Sequence, residues 1–235
     1  MSQLDVIPTV LEPMGPMWQH LPHDIVMQIL ALSILLERVY DKPGRKIDYA
    51  WFHVLTNLER FKRYRQWCKP QPMVMMKAFY LAHDFVFEYG CEFSARSYAP
   101  RFPPIRCRPF LRRISVFLCL EDCYWTLRPG HDRLTPVPAT SVDEFMRCSP
   151  GARALRSLTD ANTGFCNLDE LELRIRTNFH MGGGEAARKL VKDANFTVCA
   201  RKVTIDIVRP DQSLCLRKVC YMPCLKDLIT VRLLP

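Results

Sequence analysis

The sequence predicts a mixed α/β protein in which helices come first and alternating strands and helices follow. Two segments near the N-terminus repeat apolar residues at steps of three or four, the period of an amphipathic helix. The second half repeats an apolar spacing typical of strands, and helix signals lie between the copies. The 235 residues are 49% hydrophobic and 24% charged, a composition typical of folded globular chains and not of disordered ones.

The first elements follow from this helical period. We expect residues 1–17 to form a loose leader, because they hold three prolines and no apolar period. A helix is predicted over 21–40, where Pro22 fits the first turn because its missing N–H costs nothing there. A second helix is predicted over 48–68 and ends before two prolines. The apolar stretch 73–87 fits either a helix or a buried strand.

The region 71–109 is predicted to connect a helical region, 18–70, to a C-terminal region, 110–235. It overlaps a segment from Arg96 to Arg113 that has six arginines, several prolines and no acidic residue. Prolines break regular elements, so this segment reads as a linker or a surface crossing.

The C-terminal region repeats the spacing Leu-x-x-Leu-x-Leu, with other apolar residues allowed. Alternation of this kind is expected of a strand with one buried face. Helices between the copies would let the strands run parallel and lie side by side. The copies are Leu111-x-x-Ile114-x-Val116, Leu168-x-x-Leu171-x-Leu173, Ala200-x-x-Val203-x-Ile205 and Leu228-x-x-Val231-x-Leu233.

Three helix signals separate these copies. Ser141 and Glu144 have the spacing of a capping box, and Ser149-Pro150 can cap and open a second helix. Residues 185–192 are mostly good helix formers. Each strand–helix unit would then bury its apolar face against its neighbours.

The spacing and its intervals resemble leucine-rich repeats, whose period is roughly 20–29 residues. That family has Asn or Cys after the third leucine. Cys119 fits this place in the first copy, whereas Arg176 and Val208 do not fit it in the next two. The resemblance implies an irregular leucine-rich-repeat-like region, and a compact α/β domain with four similar strands is the alternative.

Composition also bears on the compartment. The N-terminus has no secretory signal pattern, and the eleven cysteines are an odd number. We therefore expect reduced thiols in an intracellular protein, cytoplasmic or nuclear. The apolar runs are shorter than the roughly 20 residues needed to cross a bilayer, so no membrane association is expected.

Catalytic motifs are missing from the sequence. It contains no His-Glu-x-x-His, no Gly-x-Ser-x-Gly and no Gly-x-Gly-x-x-Gly. Cys215, Cys220 and Cys224 are the nearest approach to a zinc site, but no histidine lies near enough in sequence to complete four ligands. We therefore predict no catalytic, cofactor-binding or metal-binding residue. An enzyme with dispersed catalytic residues is a weaker alternative.

The net charge of +9 is compatible with an acidic partner. Arg60 to Trp67 mixes cations with aromatic residues, as single-strand nucleic-acid sites do. However, Phe61, Tyr64 and Trp67 have core-facing helical spacing, which favours a buried face with solvated cations. A basic nucleic-acid-binding or structural protein is therefore the alternative function, using this stretch and Arg96 to Arg113.

The sharpest local motif opens the first predicted helix. The residues Leu21-Pro22-His23-Asp24-Ile25 are followed four and five positions later by Ile29 and Leu30. This motif resembles the start of an F-box, Leu-Pro-x-Glu/Asp-Ile/Leu-x-x-x-Ile-Leu. The whole chain resembles F-box-like proteins of filamentous fungi. The polar stretch 41–47 departs from the family pattern, and only 64–67 is similar to its second half.

The resemblance implies a non-enzymatic adaptor of a cullin-RING ubiquitin ligase. Its F-box would bind the Skp adaptor, and the C-terminal region would bind an unknown protein substrate. The implied partner-binding residues are Leu21, Pro22, Ile25, Ile29 and Leu30. Apolar anchors at this spacing also fit the groove-binding mode of a helix. The last predicted strand lacks a polar cap, so we expect a shortened array or a partner at that edge.

Overall fold

The computed structural model divides the chain into two compact units. One consists of Met1–Gly44 and Val54–Ala82, and the other of Arg45–His53 and His83–Pro235. The residues that the structure describes are 21–22, 24–32, 47–48, 72–88, 102–127, 134–159, 162, 165–180, 184–208, 219–220 and 222–234.

The first unit contains two described helices. Helix α1 runs through residues 24–32, within the predicted 21–40. Helix α2, Pro72–Ala82, resolves the ambiguity of 73–87, because this stretch divides into a helix and a strand. Phe79 and Tyr80 are buried and their rings meet edge to face at 5.7 Å. The predicted helix over 48–68 lies outside the described residues, apart from Asp48.

The second unit is a mixed α/β fold built on a parallel sheet, as the sequence predicts. Five strands pair in parallel in the order β1-β2-β3-β6-β8, and β9 adds antiparallel to the end of β6. The strands are β1 (Ile47–Asp48), β2 (Asp84–Glu88), β3 (Arg113–Glu121), β4 (Cys123–Leu127), β5 (Leu134–Pro138), β6 (Glu170–His180), β7 (Thr197–Ala200), β8 (Lys202–Val208), β9 (Val219–Cys220) and β10 (Thr230–Leu233).

The register of the sheet confirms three of the four repeated spacings. Leu171 pairs with Ile114 on one side and with Val203 on the other. Two residues further along each strand, Val116, Leu173 and Ile205 form the next row. The equivalent positions of the three copies therefore lie side by side on the core face.

The fourth copy does not join this sheet, so the prediction that its strand lies beside the other three is wrong. Strand β10 pairs in parallel with β7, and Val231 lies opposite Val198. Hydrogen bonds from Thr230 N to Phe196 O and from Leu234 N to Ala200 O fix this position. The backbone partners, rather than the apolar spacing, decide where the last strand lies. Val231 and Leu233 are 43% and 64% exposed.

The sheet also begins earlier than predicted. Strand β2 lies in the region predicted to connect two others, within the stretch 73–87 that fits a helix or a buried strand. Its Phe85 and Phe87 pair with Ile114 and Val116. Both phenylalanines are buried and extend the core rows by one strand. Strand β1, which pairs with β2, lies at the edge of the stretch expected to be a polar insertion.

Three α-helices lie in the described part of the second unit: α3 (Val142–Cys148), α4 (Pro150–Thr159) and α5 (Gly184–Ala194). The capping box of α3 is confirmed, because Glu144 N donates to Ser141 Oγ at 3.2 Å. The Glu144 carboxylate accepts from Thr140 N and Oγ1, and these bonds lower the pKa of Glu144. Ser149 caps α4, since Ala152 N donates to its Oγ at 3.2 Å.

Helix α4 packs directly on β3. A Cβ atom at Gly151 would lie 2.0 Å from the Cys119 carbonyl oxygen, so only glycine fits at this approach. Leu155 and Leu158 of α4 are buried and complete the core on this side of the sheet. Helix α5 ends at Ala194, and the following Asn195 has a φ of 48°, the left-handed conformation common just after helix C-termini.

The long interval between β3 and β6 holds α3, α4 and an antiparallel pair, β4 and β5. No sequence pattern noted above predicts this hairpin. No helix in the described part of the chain is both long and apolar enough to cross a membrane.

Candidate partner-binding surfaces

The first candidate surface is helix α1, where the F-box-like motif lies. Pro22 is exposed, and its carbonyl oxygen accepts the hydrogen bond from Val26 N at 3.1 Å. Proline thus stands at the start of the helix, where its missing N–H leaves no intrahelical bond unmade. Asp24 lies exposed in the first turn, where the helix dipole favours a negative charge.

One face of α1 carries apolar side chains into solvent. Ile25 is 38% exposed and Leu32 is 59% exposed, and Ile29 between them is half-buried. These residues follow one another at steps of four and three, so they lie on one side of the helix. Leu21, half-buried, lies one turn before Ile25. The result is an apolar stripe formed by Leu21, Ile25, Ile29 and Leu32.

Leu30 differs from the other implied partner-binding residues. It is only 6% exposed and does not belong to the apolar stripe, so its side chain offers almost no surface to a partner. Leu32 is the exposed residue that the sequence analysis did not single out. Its position seven residues after Ile25 was the available signal.

The second candidate surface is the solvated face of the parallel sheet, formed by the residues that alternate with the core rows. A row of charges crosses four strands at one register level: Asp84, Arg113, Glu170 and Lys202. Arg113 Nε donates to Asp84 Oδ1 at 2.6 Å, and Lys202 Nζ donates to Glu170 Oε1 at 2.6 Å. Opposite charges that face each other across strands stabilise pairing modestly.

The next two levels of this face are polar apart from Val86 and Phe117. Ser115 Oγ donates to Glu172 Oε2 at 2.6 Å, and Arg174 Nε lies 3.2 Å from Glu172 Oε1. Arg174 and Asp206 are exposed and occupy paired positions on β6 and β8. The face therefore presents both signs of charge in an ordered pattern, which suits recognition of a protein surface more than a chain of phosphates.

The carboxyl end of β3 brings several chemically active groups together. Asn178 Nδ2 donates to Glu121 Oε1 at 3.3 Å, and burial raises the pKa of Glu121. Burial also raises the pKa of the Cys148 thiol to about 12. A shallow cleft of about 340 Å³ is lined by Tyr124, Glu144, Arg147 and Cys148. A thiol with so high a pKa is protonated at neutral pH and is a poor nucleophile.

The arginines of the Pro/Arg segment that the structure describes are largely engaged within the protein. Arg108 Nε donates to Pro103 O at 2.8 Å, and its guanidinium lies 5.1 Å from the Phe165 ring centroid. Arg112 Nη1 donates to Asn167 O at 3.2 Å. These contacts give the arginines a structural role. The stretch from Arg60 to Trp67 lies outside the described residues.

The candidate metal ligands are the histidines, cysteines and carboxylates that the structure describes. Within that part of the chain, no group of three or more is placed to hold a metal ion. Cys224 is half-buried and Cys119 is buried. Cys215 lies outside the described residues.

Comparison with known proteins gives no relative: no family model, no curated protein and no solved structure matches this chain.

Proposed function

We propose that the chain is a substrate-recruiting adaptor of a cullin-RING (Skp-cullin-F-box) ubiquitin ligase. Helix α1 would bind the Skp adaptor, and the second unit would bind a protein substrate through an irregular leucine-rich-repeat-like surface. The observation that carries the proposal is the apolar stripe of α1, which exposes Ile25 and Leu32 on a helix that begins with an F-box-like motif.

The stripe has the geometry of a helix that docks in a groove. Such helices present apolar anchors at steps of three and four residues, and the partner supplies the apolar walls. Transfer of exposed apolar area into a groove yields about 25 cal/mol per Å², so Leu32 and Ile25 would contribute most. Leu30, buried on another side, would hold the helix in place rather than contact the adaptor.

The solvated sheet face suits the second task. Its residues are held by pairs such as Arg113 with Asp84 and Lys202 with Glu170, so the pattern of charges is ordered before a substrate arrives. Ordered side chains lose less entropy on binding. Complementary charges would select the substrate and orient it.

The ligase chemistry would belong to the partners of this chain, which accordingly needs no catalytic residue of its own. The Cys148 thiol, with a pKa of about 12, would not serve as a ubiquitin-accepting nucleophile at neutral pH.

The test is capture of the full chain by purified Skp adaptor. We expect the adaptor to capture the wild type. The double variant Ile25→Glu/Leu32→Glu should not be captured, because its charged side chains would have to enter an apolar groove. Leu21→Ala/Pro22→Ala/Ile25→Ala should weaken capture as well. Gln28→Glu, at an exposed position outside the stripe, is the matched control and should leave capture intact.

Circular dichroism of each variant must show a folded chain. A folded wild type that the adaptor does not capture would contradict the proposal, and so would a stripe variant captured as well as the wild type.

A further inference from the structure

Strand β8 is an edge of the parallel sheet whose apolar face is incompletely covered. Among the described residues, β8 pairs only with β6. Its core-facing Val203 and Ile205 are half-buried, although their register partners Leu171 and Leu173 are 2% and 0% exposed. One more strand beside β8 would bury these two side chains as the interior strands are buried.

Among the described residues, no strand pairs with the outer side of β8. Lys202 N donates to Asp169 O at 2.9 Å, which directs the backbone groups of Lys202 toward β6. Successive residues of a strand direct their N–H and C=O groups to opposite sides. The backbone groups of Val203 and Ile205 therefore lie on the open side of β8, with two donors and two acceptors.

The sequence of β8 is complementary to itself in antiparallel pairing. A twofold axis at Thr204 would place Lys202 opposite the partner's Asp206, and Asp206 opposite the partner's Lys202. It would also place Val203 opposite the partner's Ile205, so that their open backbone groups form hydrogen-bonded pairs. A twofold interface needs this reciprocity, in which the same two residues meet twice.

The charges of the solvated face continue across such a junction. Within one copy, the row Asp84, Arg113, Glu170, Lys202 alternates in sign. The partner's Asp206 would come next, and the partner's Arg174, which pairs with Asp206 by register, would follow it. Alternation of sign would thus extend from one sheet into the other without two like charges meeting.

We propose that the open edge of β8 binds a second copy of this chain, and that the two β8 strands pair antiparallel about Thr204. Lysine at an edge strand usually opposes such pairing. Here Asp206, at the symmetric position, would neutralise it. The proposal rests on the second unit alone and is independent of the adaptor function.

The test measures the mass of the full chain by sedimentation at several concentrations. We expect the wild type to double its mass as the concentration rises. Lys202→Glu and Asp206→Lys should each weaken the dimer roughly ten- to hundredfold, because each turns two attractive cross-strand pairs into repulsive ones. An equimolar mixture of the two variants should form dimers again, since opposite charges then face each other at both positions.

Controls separate this effect from a change of net charge. Lys189→Glu and Asp193→Lys make the same charge changes at exposed positions of α5 and should leave dimerisation unchanged. A wild type that stays monomeric at all concentrations would overturn the proposal. Dimers that persist in both single variants would also overturn it, as would folded variants that do not associate when mixed.

Discussion

Strands β6 and β8 carry the same apolar spacing in the same register, yet they differ in burial. Leu171 and Leu173 of β6 are almost completely buried, whereas Val203 and Ile205, their partners on β8, are half-buried. Strand β6 has a parallel neighbour on each side, and β8 has one among the described residues. The burial of a strand's apolar side chains therefore depends on the position of the strand in the sheet, and the sequence of the strand alone does not determine that position.

The largest difference should appear when equivalent core side chains are shortened. Leu173→Ala should lower the free energy of unfolding by about 2–5 kcal/mol, since it leaves a cavity between two strands. Ile205→Ala should cost about 1 kcal/mol, because its side chain is already partly solvated. Both variants should be unfolded with urea in the Lys202→Glu background, because a second copy should not stabilise β8 there. Equal losses would show that the edge is packed as tightly as the interior.

The interior strand β3 is supported by the close packing of α4. Gly151→Ala places a Cβ within 2.0 Å of the Cys119 carbonyl oxygen, so α4 must move away from β3. We expect a loss of about 1–3 kcal/mol in the free energy of unfolding. Gly184→Ala, at the start of α5, is the control for the change of residue type. Thermal unfolding that is unaffected by Gly151→Ala would contradict the close approach.

A smaller effect should follow from removing the buried cap between β3 and α4. Ser149 is fully buried, and its Oγ accepts from Glu121 N at 3.1 Å and from Ala152 N at 3.2 Å. Ser149→Ala would leave two donors without this acceptor and cost about 2 kcal/mol. Ser141→Ala, which removes an exposed cap, should cost about 1 kcal/mol. Chemical unfolding that ranks the two in the opposite order would refute this account.

The smallest effect is a pH dependence with opposite signs at two glutamates. Burial raises the folded-state pKa of Glu121, so the folded chain binds more protons at this residue than the unfolded chain does. The stability of the wild type therefore falls as the pH rises from the ordinary pKa of Glu through the raised pKa. Glu121→Gln should remove that fall. Hydrogen bonds from Thr140 lower the pKa of Glu144, so its contribution is present above the ordinary pKa and is lost as pH falls. Unfolding curves of both Gln variants at acidic and neutral pH test the signs.

Three strands of the parallel sheet could be predicted from the sequence, because the apolar spacing within each repeat matches the register in which these strands pair. Leu111, Leu168 and Ala200 mark three strands whose pairing follows the repeat. The spacing at Leu228 fits equally well, but β10 is positioned by backbone bonds to β7, which no side-chain pattern encodes. Strand β2 was left open between helix and strand, because the periodicity of the apolar stretch 73–87 does not distinguish the two.

The candidate surfaces were harder to predict for a physical reason. A helix needs the same steps of three and four residues whether it faces a core or a groove, so the motif could not distinguish buried Leu30 from exposed Leu32. The row of charges on the solvated face depends on residues far apart in sequence, such as Asp84 and Lys202. Their alignment emerges only once the register of four strands is known.

The order of the parallel strands has a consequence for how the chain folds. In the parallel sheet β1-β2-β3-β6-β8, the strands pair in the order in which they occur along the chain. Loop-closure entropy rises by only about 0.6 kcal/mol for each doubling of loop length, so the long interval before β6 adds little cost. Because β8 is an edge strand among the described residues, its outer amides in the monomeric chain should exchange before those of the interior strands in native-state hydrogen exchange.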